Sequence, residues 1–402
     1  MKIIHTSDWH LGNRLYNYNR SDEEVDFFRQ LAELVEKEQP DALVVSGDVF
    51  DTGMPGNDVA KGFTDRLLDV ASRCPEMETV VIAGNHDSYS RLVVDEALWK
   101  RCRVHVFGIP AEDENGNAVL DGNIVEFPGK GYIAAVPFCH ARNFPLIPGS
   151  DGCDCAKAYF TALSARLDEI NTAKLPCVLM AHLAVGKDTS FTGQDRRGVI
   201  GGEDCVDPET LGSGYDYIAL GHIHCPQWVK GGKKVARYCG TPRPIHFDET
   251  YPHGVDVVEV AAGREAEVRP AEFELLRKLK TFGGETGKPF EDALADLAAS
   301  EVAEGTYVRL NMLIKAGELA GSDWAERARK VASDKGLRFC YLKSISQEAE
   351  EKGEKEKFVL SVDELKELSS DSVVDILAQK HPLTDRQRQL LKGLLEEIEN
   401  ED

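Results

Sequence analysis

The sequence predicts an α/β protein whose sheets are covered on both faces by helices, followed by a smaller α/β unit and a helical tail. Three observations carry that expectation. Short apolar runs alternate with amphipathic stretches through the first two thirds of the chain. Those runs are near-continuously apolar, as in Ala42-Leu43-Val44-Val45-Ser46, and a strand that is apolar on both faces is buried on both faces. A second strand–helix cycle then ends at a charged run, Gln347 to Lys357, in which Ala349 is the one apolar residue. At 402 residues the chain is long enough for two or three folding units.

Taken in order, residues 2–6 read as a strand. Residues 22–38 read as a helix because Val25, Phe28, Leu31, Leu34 and Val35 fall on one stripe. A strand at 42–46, a helix at 58–72, a strand at 79–83 and a helix at 91–101 continue the alternation. Strands follow at 104–108, 124–127 and 132–136, then a helix at 155–170. Further strands are expected at 176–181, 215–220, 227–230, 233–238 and 254–260, with Gly231-Gly232 as a hairpin turn. The second unit runs from 273 to 346, with strands at 275–282, 307–314 and 338–344 and helices at 290–299 and 324–333. The domains expected are therefore 1–272, 273–346, a linker at 347–357 and C-terminal helices at 358–402. In the last of these, Thr384 and Gln387 form a capping box ahead of Leu390, Leu391, Leu394, Leu395 and Ile398 on one helical face.

Composition excludes several classes. A hydrophobic fraction of 42% supports a core, and 29% charged residues is not the profile of a disordered chain. No apolar run approaches the length of a membrane span, and the start lacks a secretory pattern, so a cytoplasmic protein is expected with no membrane partner. The ten cysteines form no framework and read as buried or free thiols. Cys153 and Cys155 lack a second pair for a zinc site. The net charge of −22, of which −8 lies from Gln347 onward, argues against a general nucleic-acid binder. It leaves room for a nuclease, because bound cations and a partner subunit can supply the positive potential.

Five segments follow directly on apolar runs: Asp8-Trp9-His10, Gly47-Asp48-Val49-Phe50-Asp51, Gly84-Asn85-His86-Asp87, Ala181-His182 and Gly221-His222-Ile223-His224. In an open α/β sheet the carboxyl ends of the strands line the ligand crevice, so these side chains are expected to converge. Carboxylates mixed with neutral imidazoles suit Mn²⁺, Fe²⁺ or Zn²⁺ better than an all-oxygen Mg²⁺ or Ca²⁺ site. Asp48, the lone carboxylate ending the second strand, is the natural bridge between two ions. Singly, each segment reads as turn chemistry or a surface histidine; together, in order, they read as a metal centre. His5 reads as structural, His105, His140, His253 and His381 as background, and His246 is left open.

These motifs resemble the calcineurin-like metallophosphoesterases, and among them the SbcD-type nuclease subunits. The narrower resemblance rests on His5-Thr6-Ser7-Asp8-Trp9-His10-Leu11-Gly12, Gly47 to Gly53, Ala83 to Ser88, Tyr217 to His224 and Arg237-Tyr238-Cys239-Gly240-Thr241-Pro242. It is specific over residues 1 to about 260 and looser beyond. It implies a sandwich of two mixed sheets flanked by helices, a small capping domain and a C-terminal helical pair. It implies one metal held by Asp8, His10, Asp48 and His224 and another by Asp48, Asn85, His182 and His222, with manganese the expected ion. It implies His86 at the phosphate, as transition-state stabiliser or proton donor to the leaving oxygen. Where relatives commonly carry a histidine three residues after the bridging carboxylate, this chain has Asp51. Asp51 is assigned as the residue that orients His86, the alternative being a helix-start carboxylate before Pro55. The resemblance also implies a homodimer, an SbcC-type ATPase partner, and cleavage of double- and single-stranded DNA. A small-molecule phosphodiesterase and a non-catalytic DNA-end scaffold are the competing readings.

Overall fold

The computed structural model describes residues 1–149, 154–186, 205–230, 235–314 and 321–346. The linker expected at 347–357, the helices expected at 358–402, the turn expected at Gly231-Gly232, His381 and Cys153 lie outside the described residues. The chain divides into two compact units: residues 1–281 with 301–309 and 329–340, and residues 282–300, 310–328 and 341–402.

The first unit is built on two six-stranded sheets. The first takes β1 (Lys2–Thr6), β4 (Ala42–Ser46), β5 (Glu78–Ile82), β6 (Val104–Phe107), β13 (Gly254–Glu259) and β14 (Glu267–Glu272) in the order β14-β13-β1-β4-β5-β6. The second takes β7 (Ile124–Phe127), β8 (Gly131–Val136), β9 (Cys177–His182), β10 (Tyr217–Gly221), β11 (Gln227–Trp228) and β12 (Ala236–Tyr238) in the order β11-β12-β10-β9-β8-β7. The central strands of each sheet are parallel: β1, β4, β5 and β6 in one, β8, β9, β10 and β12 in the other. Both sheets are mixed, because β13 runs against β1 and β7 runs against β8.

The continuous apolar runs have a physical cause, since each central strand has a core on either side. Ile3, Ala42, Val44, Val80 and Ile82 of the first sheet meet Ile133, Val178, Met180, Tyr217 and Ala219 of the second in a core between the sheets. The intervening residues Ile4, Leu43, Val45 and Val81 face outward and pack with Phe28, Leu31 and Val35 of α1 (Ser21–Glu38) and Leu67 and Val70 of α2 (Asn57–Ser72). On the far side, Tyr159, Phe160, Leu163 and Leu167 of α5 (Cys155–Ile170) cover the second sheet. At about 25 cal/mol per Å² of apolar surface buried, these three layers dominate the stability of the unit.

Three expectations change. The helix expected at 91–101 is two single turns, α3 (Tyr89–Leu92) and α4 (Glu96–Trp99), followed by a 3₁₀ turn. Leu92 and Trp99 are buried while Val94 and Leu98 are exposed, so too few apolar anchors face the core to hold one continuous helix there. The strand β14 went unforeseen because Glu267, Arg269 and Glu272 are charged and Pro270 cannot donate to a ladder, a pattern fitted to a sheet edge. A small hairpin of β2 (Arg14–Leu15) and β3 (Tyr18–Asn19) also went unforeseen.

A three-stranded sheet, in the order β15-β16-β17, takes Leu279–Phe282, Tyr307–Ile314 and Arg338–Ser346. The second unit includes α6 (Phe290–Ala299) and the first part of α7 (Trp324–Asp334), up to residue 328. There Phe290 stacks on Trp324, with ring centroids 4.6 Å apart, and Arg327 lies over Phe290 while binding Glu291.

Candidate metal centre

The carboxyl ends of β1, β4, β5, β9 and β10 meet where the two sheets approach each other closely. Ser46, the last residue of β4, shows how close that approach is. Its hydroxyl donates to Ala219 O across the sheets at 3.0 Å, and its carbonyl accepts from His182 Nδ1 at 2.8 Å. A Cβ at Gly221 would sit 1.9 Å from Ser46 O, and a Cβ at Gly84 would sit 2.1 Å from Asp48 Oδ1. Only glycine fits at either position.

The backbone leaves the strands in an unusual conformation. Asp8, His10, Asp48 and His222 have φ of 52°, 44°, 50° and 95°, the left-handed region that side-chain-bearing residues avoid. Such residues persist when the surroundings over-determine them, and here hydrogen bonds do so. Asp8 N–H donates to Gly47 O, and His10 N–H donates to Asp48 O. The Asp48 carboxylate accepts from His86 N–H at 2.9 Å, and the Asp8 carboxylate accepts from His222 N–H at 3.0 Å.

The expected ligands come together. Asp8, His10 and His224 place one donor atom each within 4.8 Å of one another, and so do Asp8, Asp48 and His182. His182 Nε2 and His222 Nδ1 lie 2.9 and 3.0 Å from Asn85 Oδ1. His182 Nε2 and His10 Nε2 lie 3.5 and 3.7 Å from Asp48 Oδ2, flanking it. The histidine rings form a chain of edge contacts, His86 to His10 to His224 and His182 to His222, with centroids 4.9 to 5.3 Å apart.

The donor set fits a pair of cations. His10 is fully buried and makes no hydrogen bond through either ring nitrogen, though its Nε2 faces the Asp48 carboxylate. His182 donates its Nδ1 proton to Ser46 O, which in the neutral ring leaves a lone pair on Nε2 directed at the Asn85 oxygen. Two acceptors that close repel unless a cation or a proton lies between them. The titration behaviour agrees. Burial lowers the His182 pKa, but Asp48 overrides this and holds it near 9, so a proton stands in for a cation. Burial works the other way on Asp48, yet His182, His86 and His10 keep its carboxyl well below the usual range. His222, facing other imidazoles in a dry site, falls to about 3.

His86 and Asn85 are half-buried at the mouth, whereas the other expected ligands are buried. The residue that holds His86 is Asp51, but through its main chain: His86 Nδ1 donates to Asp51 O at 2.9 Å. The Asp51 carboxylate turns elsewhere, 3.3 Å from His10 Nδ1 and accepting from Asn13 Nδ2. The assignment of that carboxylate as the group that orients His86 is therefore corrected. The turn after Asp48 aims the carbonyl at His86 and leaves the side chain behind His10.

Several supporting residues were missed. Asp87 accepts from the N–H groups of Gly84, Val49 and Phe50, tying the β4 and β5 loops together. Burial, and then the charge of Asp48, raise its pKa to about 7. Buried Arg243 donates to the carbonyls of Trp9 and His10, and Glu24 accepts from Gly12 N–H, so both clamp the β1 loop. Glu249 accepts from His224 Nδ1 at 2.9 Å. The Gly-Asn-His-Asp motif carried a signal for Asp87; the others are long-range contacts with no local pattern.

The model of the calcineurin-like phosphoesterase family matches residues 1–226, more than half of the chain. The chain belongs to this family. Within it, the chain is similar to the D subunit of the SbcCD nuclease of Rhodobacter capsulatus, 33% identical over 65% of this chain and 67% of that one. It is also similar to the Bacillus subtilis protein of the same name, 30% identical over 66% and 68%. Among solved structures it matches a dimetal phosphatase from Danio rerio with a TM-score of 0.39 and 12% identity, over 67% of this chain and 98% of that one. No helix among the described residues is long and apolar enough to cross a membrane.

Proposed function

We propose that this chain is a two-metal DNA phosphodiesterase, an exonuclease and endonuclease acting at double-strand ends and hairpins as the nuclease subunit beside an SbcC-type ATPase in DNA repair and recombination. The observation that carries this reading is the convergence of Asp8, His10, Asp48, Asn85, His182, His222 and His224 from five strand ends on one cleft, with His86 at its mouth. Asp8, His10, Asp48 and His224 would hold one divalent ion, and Asp48, Asn85, His182 and His222 would hold the other. Bound there, the ions supply an activated water and neutralise charge developing on the phosphate. His86 keeps its Nδ1 proton on the Asp51 carbonyl, which aims Nε2 toward the substrate, and Asp48 helps to raise its pKa against burial. It stabilises the charged phosphate or protonates the leaving sugar oxygen. Mixed oxygen and imidazole donors favour manganese.

The relatives are named as the D subunit of the nuclease SbcCD, which supports a nucleic-acid substrate and a second subunit as partner. The partner docks through the segment at 358–402, carried on the linker at 347–357, and the stretch at 273–346 helps the nuclease domain at 1–272 to hold DNA. Truncation after Lys357 leaves metal-dependent cleavage of short single-stranded DNA intact and abolishes co-purification with the ATPase; an inactive or insoluble truncation overturns the docking role. A second copy of the chain covers the exposed Tyr89, Val94 and Leu98 near α3 and α4, making a homodimer. Ten cysteines without a spaced framework suit a reducing cytoplasm.

The deciding experiment compares manganese-dependent cleavage of linear duplex DNA, bis-p-nitrophenyl phosphate and cyclic nucleotides. Efficient DNA cleavage supports the reading. Preference for the small substrates points to a small-molecule phosphodiesterase, and no cleavage of any points to a scaffold.

A further inference from the structure

Six carboxylates are buried among the described residues, and their partners set one of them apart. Asp8 and Asp48 belong to the metal cluster. Glu23 pairs with Arg20, Glu24 with Arg243, and Asp256 with Arg237. Glu249, equally buried, has no arginine or lysine partner among the described residues; its ion-pair partner is His224. One Glu249 oxygen accepts from His224 Nδ1 at 2.9 Å, and the other accepts from Ile245 N–H at 2.9 Å. The segment is pinned further by His253, whose Nδ1 bonds Thr241 and whose Nε2 lies 3.5 Å from Glu249 O. A buried carboxylate without compensating positive charge is costly. The ion-pair partner here is an imidazole, and a cation bound on its far side would supply the compensation.

A second carboxylate lies behind His10, in ion-pair range though without a hydrogen bond: the Asp51 carboxylate is 3.3 Å from His10 Nδ1. Both imidazoles of the Asp8–His10–His224 cluster thus have a carboxylate behind them. His182, in the Asp8–Asp48–His182 cluster, has instead a neutral carbonyl, Ser46 O, at 2.8 Å. A carboxylate behind a ligand imidazole fixes its tautomer and raises the basicity of the nitrogen facing the metal, more than a carbonyl does. We propose that Glu249 is a positioning residue for metal binding, and that through His224 it makes the Asp8–His10–His224 position the tighter of the two, filled first. This rests on the two-metal reading above and adds to it an order of occupancy and the residue that sets it.

The test is calorimetric titration of Mn²⁺ into the metal-stripped full-length chain, with the melting midpoint of each metal-free variant as a check on folding. The wild type takes up two ions in two resolved steps. Glu249→Gln keeps the size and an acceptor but removes the charge. It weakens the first step about 10- to 100-fold and leaves the second unchanged. His182→Ala does the opposite, losing the second step and keeping the first. Two equal steps in the wild type, or a Glu249→Gln chain that weakens both steps alike, the second alone or neither, overturn the proposal. If Glu249→Gln lowers the metal-free midpoint to the point of unfolding, Asp51→Asn carries the test. It weakens the first step selectively, and an unchanged first step in a folded Asp51→Asn chain overturns the proposal. His224→Ala separates the two levels of the argument. Two intact steps without His224 refute the ligand set itself, whereas loss of the first step in His224→Ala beside an unchanged Glu249→Gln refutes only the role of Glu249.

Discussion

The two sheets supply different chemistry to one site. Loops from the first sheet bring the carboxylates Asp8 and Asp48, the amide of Asn85, the buried imidazole of His10 and the half-buried His86. The second sheet brings only imidazoles, His182, His222 and His224, on the last residue of β9 and just past β10. The first sheet's loops are strained and cross-linked, with three left-handed residues and an Asp87 carboxylate binding three backbone N–H groups. In the second, His182 is still within a strand, held by the ladder itself. Neither half is a site alone. The first has negative charge that needs cations; the second has neutral donors that need something to bind. Function therefore depends on the core between the sheets as much as on the ligands.

The sharpest way to break this comparison is to remove Asp48, the carboxylate flanked by His10 of the first sheet and His182 of the second. Asp48→Ala is expected to abolish phosphodiesterase activity and to bring bound metal below two per chain by elemental analysis. Two tightly held ions in that variant would mean that the second sheet can retain its ion without the first. A smaller loss is expected from His86→Ala. It should keep its metal content and slow cleavage by at least about 10²-fold, the scale of general acid–base assistance. A drop in bound metal would instead make His86 part of the metal set, as its place near His10 and Asp48 allows.

A third change leaves every functional side chain in place and loosens the packing between the sheets. Met180 is fully buried in the middle layer, on the strand that ends in His182. Met180→Ala is expected to cost about 2–5 kcal/mol in denaturant unfolding. The metal-free chain should show the loss most clearly, since bound ions bridging the sheets offset part of it by mass action. Equal losses with and without manganese would show that the ions do not couple the sheets.

The site was legible in the sequence where chemistry followed directly on a buried strand. An apolar run such as Ala42 to Ser46 announces its own end, and the residues past that end project into the crevice whatever the rest of the chain does. The supporting residues were not legible for the opposite reason. Glu249 meets His224 from 25 positions away, and Arg243 reaches His10 from 233 positions away, through loops without periodicity. Asp51 was legible in position but not in direction: the sequence places it beside His86, and only the turn decides that its carbonyl faces His86 while its carboxylate faces His10. The edge strand β14 was hidden because an edge tolerates charge and proline, which elsewhere signal loops.

The smallest expected effect concerns DNA binding by the cationic stretch Arg277, Lys278 and Lys280. Exposure alternates along this segment, and the alternation separates the three. Arg277 turns inward, where it pairs with Asp22 and Glu23, and these hydrogen bonds, above all the one to Asp22, raise its pKa. Lys278 and Lys280 are exposed and form no ion pair among the described residues. If the stretch touches DNA phosphates, the two lysines carry the interaction and the arginine does not. Reversing both, Lys278→Glu with Lys280→Glu, is expected to weaken duplex binding and to flatten the dependence of log K on log salt by up to about 2, near one unit for each phosphate no longer neutralised. Arg277→Glu is expected to leave that slope unchanged and instead to lower stability, because it sets a third carboxylate against Asp22 and Glu23. On a chain of net charge −22, two lysines make a modest contribution beside two divalent ions, so cleavage at saturating DNA should be almost unaffected. An unchanged slope in the double variant would make the lysines an ordinary solvated face, and the DNA-binding groups would then have to be sought elsewhere on the chain or on its partner.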